Sequence, residues 1–218
     1  MVKGRAERRL TTILAADIVG FSRLMAADDA GTLASVKRHR TEIFEPKTLE
    51  YHGRVVKLMG DGTLMEFASV VDAVAFALDL QHTLAQHNAE LPPELTISYR
   101  IGVNIGDIIA DGDDIYGDGV NVAARIEPLA PPGGVCISSG VYDQVKRKID
   151  LDFWPMGPQN LKNLAEPVIV WAWSPIGMTA QAYTASLALP AKPSIAVFPF
   201  SNLRADNDDD YFADGISE

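Results

Sequence analysis

The sequence predicts an α+β protein with a ferredoxin-like, antiparallel-rich sheet and helices packed on one side of it. Two observations lead to this fold class. Apolar runs of strand length alternate with segments of helical period, in the order strand, helix, hairpin, helix, hairpin, helix. Two of the strand-like runs are separated only by a Gly-Asp-Gly turn, which favours antiparallel neighbours.

The first third of the chain predicts a strand, a long helix and a hairpin. Residues 10–16 form an apolar run typical of a buried strand. Residues 22–50 have helical period, and Pro46 is expected to kink or end this helix. Residues 51–59 and 63–67 are then the two arms of a hairpin with an Asp-Gly turn at its tip.

The remainder predicts one clear helix followed mainly by strands. Residues 68–87 are helical, with a core stripe of Val71, Val74, Ala75, Leu78 and Ala85. Residues 96–104 alternate apolar and polar side chains as a strand does, and a second strand is expected after Gly106. Three shorter strands are predicted at residues 135–138, 149–154 and 167–173.

Length and composition are those of a globular protein, with 218 residues of which 47% are hydrophobic and 22% charged. The 19 basic and 29 acidic side chains give a net charge of −10, which argues against nucleic acid or an anionic membrane surface as a partner. The single cysteine, Cys136, excludes an internal disulfide and fits a small buried strand residue in a reducing cytoplasm. Because no segment is apolar enough to span a bilayer, we expect a cytoplasmic protein without membrane contact in this segment.

Two acidic loops interrupt the predicted strands. Asp17 lies in the loop of residues 16–22 and Asp61 in the turn of residues 60–62, each where a strand is expected to end. Adjacent strands would bring both carboxylates onto a pair of divalent cations, and a glycine-bearing turn beside them suits a triphosphate. Asp and Gly are also the commonest turn formers, so either loop alone is equally consistent with an ordinary turn.

A third motif follows Asp114. Asn121 and Arg125 lie four residues apart in a predicted helix, so an amide and a guanidinium project from one face. The simpler alternatives are a surface ion pair between Arg125 and Glu127, and a helix-start role for Asn121.

With these motifs the chain resembles, over residues 8–173, the catalytic domain of the class III nucleotidyl cyclases, which are adenylate and guanylate cyclases. The resemblance implies that Asp17 and Asp61 bind two Mg²⁺ or Mn²⁺ ions. It also implies that Asn121 orients the ribose and that Arg125 stabilises charge on the α-phosphate in the transition state. The family builds its active site across a dimer interface, so a full set of residues in one chain implies a homodimer with two sites.

Base selection in the family implies roles for Lys57 and Asp114. Lysine can donate to N1 of adenine and aspartate can accept from its amino group, which predicts that ATP is converted to 3′,5′-cyclic AMP and pyrophosphate. Lys57 alternates with Val56 and Leu58, so we expect it to point away from the face that those two bury. The adjacent Asp113 leaves the assignment of Asp114 open by one residue. A guanylate cyclase and a non-catalytic nucleotide-sensing module are the alternative functions.

The triphosphate is expected to bind backbone N–H groups that lead into a helix N-terminus, those of Ile18, Val19, Gly20, Phe21 and Ser22. Lys162 lies near a triphosphate-contacting lysine of the family, although a solvated loop lysine explains it equally well.

The sequence predicts three segments. Residues 1–173 are the cyclase domain, and residues 174–192 are a linker rich in Ala, Ser, Thr and Pro. Residues 193–218 resemble the truncated start of a TolB-like domain, so we expect this chain to be a fragment of a longer one.

Overall fold

The computed structural model describes residues 7–164 and 166–175. The strands in this part are β1 (Glu7–Ile18), β2 (Gly53–Met59), β3 (Gly62–Phe67), β4 (Tyr99–Asp111), β5 (Asp114–Tyr116), β6 (Val135–Ser138), β7 (Trp154–Gln159) and β8 (Val168–Trp173). The α-helices are α1 (Phe21–Ala27), α2 (Asp29–His39), α3 (Glu45–Glu50), α4 (Val70–Ala89), α5 (Asp118–Ile126) and α6 (Ser139–Val145). A π-helical turn at Arg40–Phe44 joins α2 to α3, and 3₁₀ turns occur at Pro93–Leu95 and Glu127–Leu129.

The strands form one sheet in the order β2-β3-β1-β4-β6-β8-β7, and β5 pairs with β4 outside this path. The strand pairs are antiparallel except for β4 with β6, which is parallel. The first four strands lie in the order β2-β3-β1-β4 with helices after β1 and β3, which is the ferredoxin-like arrangement. The predicted fold class, an α+β protein with an antiparallel-rich sheet, is confirmed.

Both faces of the sheet are covered, so the expectation of helices on one side only is wrong. Leu14 and Ala16 of β1 belong to the larger core, which is formed mainly with α4. The alternate residues Ile13 and Ala15 pack on the other face with Ala123 of α5. Successive strand residues point to opposite faces, so α5 has a face of its own, which we call the α5 face.

Helix α5 lies directly on the backbone of the sheet. A Cβ atom on Gly102 of β4 would lie 2.4 Å from the carbonyl oxygen of Ala123, and a Cβ on Gly106 would lie 2.8 Å from Cα of Gly119. Glycine at these positions is therefore what permits the close approach. The Asn104 side chain adds a hydrogen bond to the Gly119 carbonyl at 3.0 Å. This packing fixes the position of the helix that carries two of the predicted site residues.

Two local predictions need correction. Strand β4 runs without interruption through Gly106, because its pairing with β1 continues from Tyr99 to Ala110. The β2–β3 turn consists of Gly60 and Asp61, since Met59 pairs with Gly62, and glycine takes the first position with φ 65°. This is the position that a type II′ turn reserves for glycine, whereas we expected an Asp-Gly turn.

The predicted helices are present, but their boundaries differ, and in α4 some of the residues that face the core differ too. Residues 22–50 form α1, α2, the π-helical turn and α3, and Pro46 stands in the first turn of α3. In α4, Val74 and Leu78 are buried as predicted, but Ala85 is exposed, and Phe76, Leu80 and Leu84 line the core instead. Helix α6 was not predicted, and the strand expected at residues 149–154 begins only at Trp154.

Cys136 is fully buried in β6, as predicted. Among the described residues no helix is long and apolar enough to cross a membrane. Apart from Ser174 and Pro175, the predicted linker at 174–192 and the predicted TolB-like segment at 193–218 lie outside the described residues, and both stay predictions.

Candidate active site

The carboxylates of Asp17 and Asp61 come together where β1 ends beside the tip of the β2–β3 hairpin. Asp17 is the penultimate residue of β1 and points to the α5 face, and a Cβ on Gly62 would lie 3.5 Å from its Oδ1. Burial, followed by the negative charge of Asp61, raises the pKa of Asp17 above its ordinary value. Two carboxylates that repel one another are a suitable site for a divalent cation.

The two carboxylates fit Mg²⁺ or Mn²⁺ held partly by substrate better than they fit a metal ion coordinated entirely by protein side chains. Among residues 7–164 and 166–175 no cluster of three or more Asp, Glu, His or Cys side chains could hold a metal ion. Mg²⁺ is commonly held by only one or two carboxylates, with substrate phosphates and water completing its coordination. Asp17 and Asp61 therefore fit a metal that binds together with a phosphorylated substrate.

Two charged residues that the sequence analysis did not assign lie beside this pair. Arg100 of β4 is directly opposite Asp17 in the β1–β4 register, and its Nε is buried without a hydrogen-bond partner in the described part of the chain. Glu127 follows α5 and is 8% exposed. Burial, then the charge of Asp17, raises the pKa of Glu127 to about 7, whereas the charge of Arg100 acts in the opposite direction.

Glu127 had been considered only as a surface partner for Arg125. It is buried because the end of α5 rests on β4, where a Cβ on Gly102 would lie 2.6 Å from the Glu127 nitrogen. A glycine within an apolar strand is a signal of such close approach, and Gly102 was therefore the available clue. The sequence does not reveal which residue approaches it.

The loop after β1 leads into the short helix α1. Gly20 precedes α1 in the left-handed conformation, with φ 67°, and its carbonyl accepts hydrogen bonds from Arg23 and Leu24. The Val19 N–H donates to the Ser98 carbonyl at 2.9 Å, so Val19 should be removed from the predicted triphosphate donors. The Ile18 N–H faces the Asp17 carboxylate and acts to lower the pKa of Asp17. The N–H groups of Gly20, Phe21 and Ser22 therefore remain candidates for binding the triphosphate.

Lys57 and Asp114 meet on the α5 face. Lys57 Nζ lies 2.5 Å from Asp114 Oδ2, so Asp114 rather than Asp113 is the partner of Lys57. Asp114 Oδ2 also accepts from the Tyr116 hydroxyl at 2.9 Å. The hydrogen bond to Asp114 raises the pKa of Lys57, and the same bond lowers the pKa of Asp114. Both groups therefore remain charged at neutral pH.

A β-bulge explains how Lys57 reaches this face. Val55 pairs with Met65, but Lys57 pairs with Leu64, so two residues of β2 oppose one of β3 at this point. In a regular ladder Val56 would pair with Leu64 and Lys57 would point to the opposite face. The simple alternation used to orient Lys57 is therefore wrong, because the bulge sends both Val56 and Lys57 toward the α5 face.

The last predicted residues lie on α5 and in the β7–β8 loop. Asn121 is exposed and Arg125 half-buried, four residues apart on the helix as predicted, and Arg125 Nη1 is buried without a hydrogen-bond partner among the described residues. Lys162 is exposed in the turn between β7 and β8, at the opposite end of the sheet from β2. No contact in the described part of the chain brings Lys162 to another predicted site residue.

A comparison with known families shows what the chain is similar to. Residues 6–172 match the family described as the adenylate and guanylate cyclase catalytic domain. The chain belongs to this family. The whole chain is 47% identical, over an alignment of 222 residues, to a Rhizobium meliloti (strain 1021) protein named "Putative adenylate cyclase 3". That comparison covers 100% of this chain and 38% of the relative, so the chain spans well under half of the relative's length.

One solved structure supports the same assignment, and a second one shows the same fold. The cyclase domain is 41% identical, with a TM-score of 0.75, to an adenylate/guanylate cyclase/hydrolase from Silicibacter pomeroyi, over 78% of this chain and 99% of that one. It is 23% identical, with a TM-score of 0.67, to the adenylyl cyclase CyaB of P. aeruginosa, over 77% and 95% of the two chains. At 23% identity the second likeness shows the fold alone.

Proposed function

We propose that this cyclase domain converts ATP to 3′,5′-cyclic AMP and pyrophosphate, at two sites that a homodimer shares. The observation that carries the choice of ATP is the pairing of Lys57 with Asp114 on the α5 face, at 2.5 Å. This pair offers one hydrogen-bond donor and one acceptor side by side to a purine edge. A cytoplasmic location fits a reaction that consumes ATP.

Adenine matches the polarity of that pair. Its N1 accepts a hydrogen bond and its amino group donates one, so Lys57 and Asp114 can each exchange their mutual bond for one to the base. Guanine presents a donor at N1 and an acceptor at O6. With the same placement, guanine would leave polar groups unpaired, at about 1–3 kcal/mol for each group.

Asp17 and Asp61 would hold two Mg²⁺ or Mn²⁺ ions, together with phosphate oxygens of the substrate. Bound there, divalent cations would lower the pKa of the ribose 3′-hydroxyl and neutralise charge on the triphosphate. The N–H groups of Gly20, Phe21 and Ser22 can bind phosphate oxygens at the start of α1. The described residues suggest no side chain that must act as a general base.

Asn121 and Arg125 complete the site from the partner subunit. Asn121 orients the ribose, and Arg125 stabilises the charge that grows on the α-phosphate as pyrophosphate leaves. The unpaired Nη1 of Arg125 supports this role, because a buried guanidinium N–H without a partner is costly unless a ligand supplies one. Within one chain the described contacts gather Asp17 with Asp61 and Lys57 with Asp114, but they do not join these two groups. A second copy would bring them to one nucleotide.

The test is incubation of the purified protein with ATP and Mn²⁺, followed by identification of the product by mass. We expect cyclic AMP and pyrophosphate, and a lower kcat/KM with GTP. Faster turnover of GTP would instead identify a guanylate cyclase. Binding of ATP without turnover would identify a nucleotide-sensing module.

A further inference from the structure

A buried carboxylate on the α5 face lies between two arginines. Glu66 of β3 is 5% exposed, and it forms ion pairs with Arg9 of β1 and Arg54 of β2. Burial alone would raise the pKa of Glu66, but its contacts with neighbouring side chains, of which that with Arg9 is the strongest, together outweigh burial and lower it. Glu66 is therefore a buried negative charge on β3, the strand next to the edge strand β2.

The two arginines differ in what else they contact. Arg54 donates from Nε to Glu66 Oε2 at 2.8 Å, and from Nη1 to the carbonyl oxygen of Asp113 at 3.0 Å. Asp113 is the second residue of the turn between β4 and β5, since Asp111 pairs with Asp114. Arg9 makes no contact with this turn among those that the structure describes. Arg54 thus links a buried charge to the tip of the β4–β5 hairpin, and Arg9 does not.

This contact lies immediately beside the proposed base-reading pair. Asp114 follows Asp113, and Lys57 follows Arg54 by three residues on the same strand, so two contacts hold one hairpin to one strand. The first joins Arg54 to the Asp113 carbonyl, and the second joins Lys57 to the Asp114 carboxylate at 2.5 Å. Only the bond between Lys57 and Asp114 must break when a base binds, because the purine then takes both its donor and its acceptor.

We propose that Arg54, held by Glu66, is a positioning residue for base selection, which keeps Asp114 in place after Lys57 has released it. This inference rests on the proposed function. A guanidinium suits the task, because its planar fork can bond a carboxylate and a carbonyl at the same time. The Glu66 charge orients that fork, so Arg54 acts on the nucleotide through Asp114 without touching it.

Arg54→Gln and Arg9→Gln form a matched pair of variants. Each removes one arginine from Glu66 and leaves the other, but only Arg54→Gln removes the contact with Asp113. We expect Arg54→Gln to lower the ratio of kcat/KM for ATP to kcat/KM for GTP by about 5- to 10-fold, mainly through KM for ATP, as for loss of one hydrogen bond. Arg9→Gln should leave this ratio within about 2-fold, and Arg54→Lys should restore part of it.

Hydrogen exchange tests the anchor independently of catalysis. The Ile115 N–H donates to Asp114 Oδ1, so its exchange reports how firmly the hairpin tip is held. We expect faster exchange at residues 112–116 in Arg54→Gln but not in Arg9→Gln. If Arg54→Gln fails to fold, Arg54→Lys serves instead, because it keeps a positive charge beside Glu66 but lacks the planar fork that bonds the carboxylate and the Asp113 carbonyl together.

Each outcome decides the inference. Unchanged exchange in Arg54→Gln, or an equal increase in both variants, would overturn the anchor. Faster exchange in Arg54→Gln alone, with an unchanged ratio for the two nucleotides, would overturn the role in base selection. Absence of turnover by the unmodified protein would count against the proposed function, and the exchange comparison would still decide whether Arg54 anchors the hairpin.

Discussion

Two charged clusters on the α5 face differ in the sign of their interactions. At one, Lys57 and Asp114 are opposite charges at 2.5 Å, and each moves the pKa of the other so that both stay ionised. At the other, Asp17 and Asp61 are like charges, and the pKa of Asp17 is raised by burial and by its neighbour. The charges of Lys57 and Asp114 thus neutralise one another within one chain, whereas those of Asp17 and Asp61 repel one another.

The difference indicates what each cluster requires from a ligand. A pair of repelling carboxylates gains most from a cation, so metal dependence should reside at Asp17 and Asp61. A pair of opposite charges gains nothing from a cation and can only exchange its mutual hydrogen bond for equivalent ones. We therefore expect Lys57 and Asp114 to affect mainly the choice between ATP and GTP, and to affect the rate of reaction less. Four predictions test this contrast.

The largest effect is expected at Asp17 and Asp61, which we call the acidic cluster. Asp17→Asn and Asp61→Asn should each lower the rate of cyclic AMP formation at saturating Mn²⁺ by about 10³-fold or more, because each removes a metal-binding charge. The assay is product formation from ATP. Asp150→Asn, in an exposed loop, is the control and should keep full activity. Full activity in either site variant would refute the metal assignment.

Arg125→Ala should lower kcat by about 10²- to 10³-fold, by analogy with loss of an oxyanion donor. In a 1:1 mixture with Asp17→Ala, exchanged dimers contain one intact site, so about a quarter of the unmodified activity should return. The measurement is activity of the mixture against each variant alone. Absence of rescue in verified mixed dimers would show that the site is not shared.

A smaller effect is expected from the pair of Lys57 and Asp114. Lys57→Gln should lower the preference for ATP over GTP by about 10-fold, since one charged hydrogen bond to the base is weakened. Relative kcat/KM values with the two nucleotides measure this. Lys146→Gln, which also breaks a surface lysine–aspartate pair, is the matched control and should leave the preference unchanged. A loss of kcat equal for both nucleotides would contradict the division of roles.

The smallest effect concerns stability without divalent cations. Asp17→Asn should stabilise the fold at neutral pH by about 0.5–2 kcal/mol, as relief of strain at an active site often does. A raised carboxyl pKa means that the native state loses stability as pH rises above the ordinary value of 3.8, so this gain should vanish on acidification. Asp114→Asn should instead destabilise at neutral pH, because the lowered pKa of Asp114 contributes stability that is lost as pH falls below 3.8. Unfolding monitored from pH 3 to 8 checks both signs.

The sequence was informative where chemistry depends on local order along the chain. Asp17 and Asp61 were placed correctly at a strand end and a hairpin tip, because apolar runs and glycine mark those features directly. Asn121 and Arg125 were placed on one helix face, because helical spacing is a local property.

The sequence was uninformative where orientation depends on pairing between distant segments. The bulge that turns Lys57 toward Asp114 exists only in the register of β2 with β3, and no pattern within β2 reveals it. The Val19 N–H donates a hydrogen bond to the carbonyl of Ser98, a residue far along the chain, and so is not available to a ligand. Glu127 lies beside the acidic cluster only because α5 packs against Gly102. In each case tertiary contact decided between local alternatives.

The close packing of α5 on the sheet has a mechanical consequence. One side of this helix presents Asn121 and Arg125, and its end holds Glu127 beside Asp17. Since glycines leave no compressible side chain between helix and strand, a displacement of α5 moves both sets of groups as one lever. In the proposed homodimer these two sets of groups would serve different nucleotides, so a displacement of α5 at one site would also alter the other site.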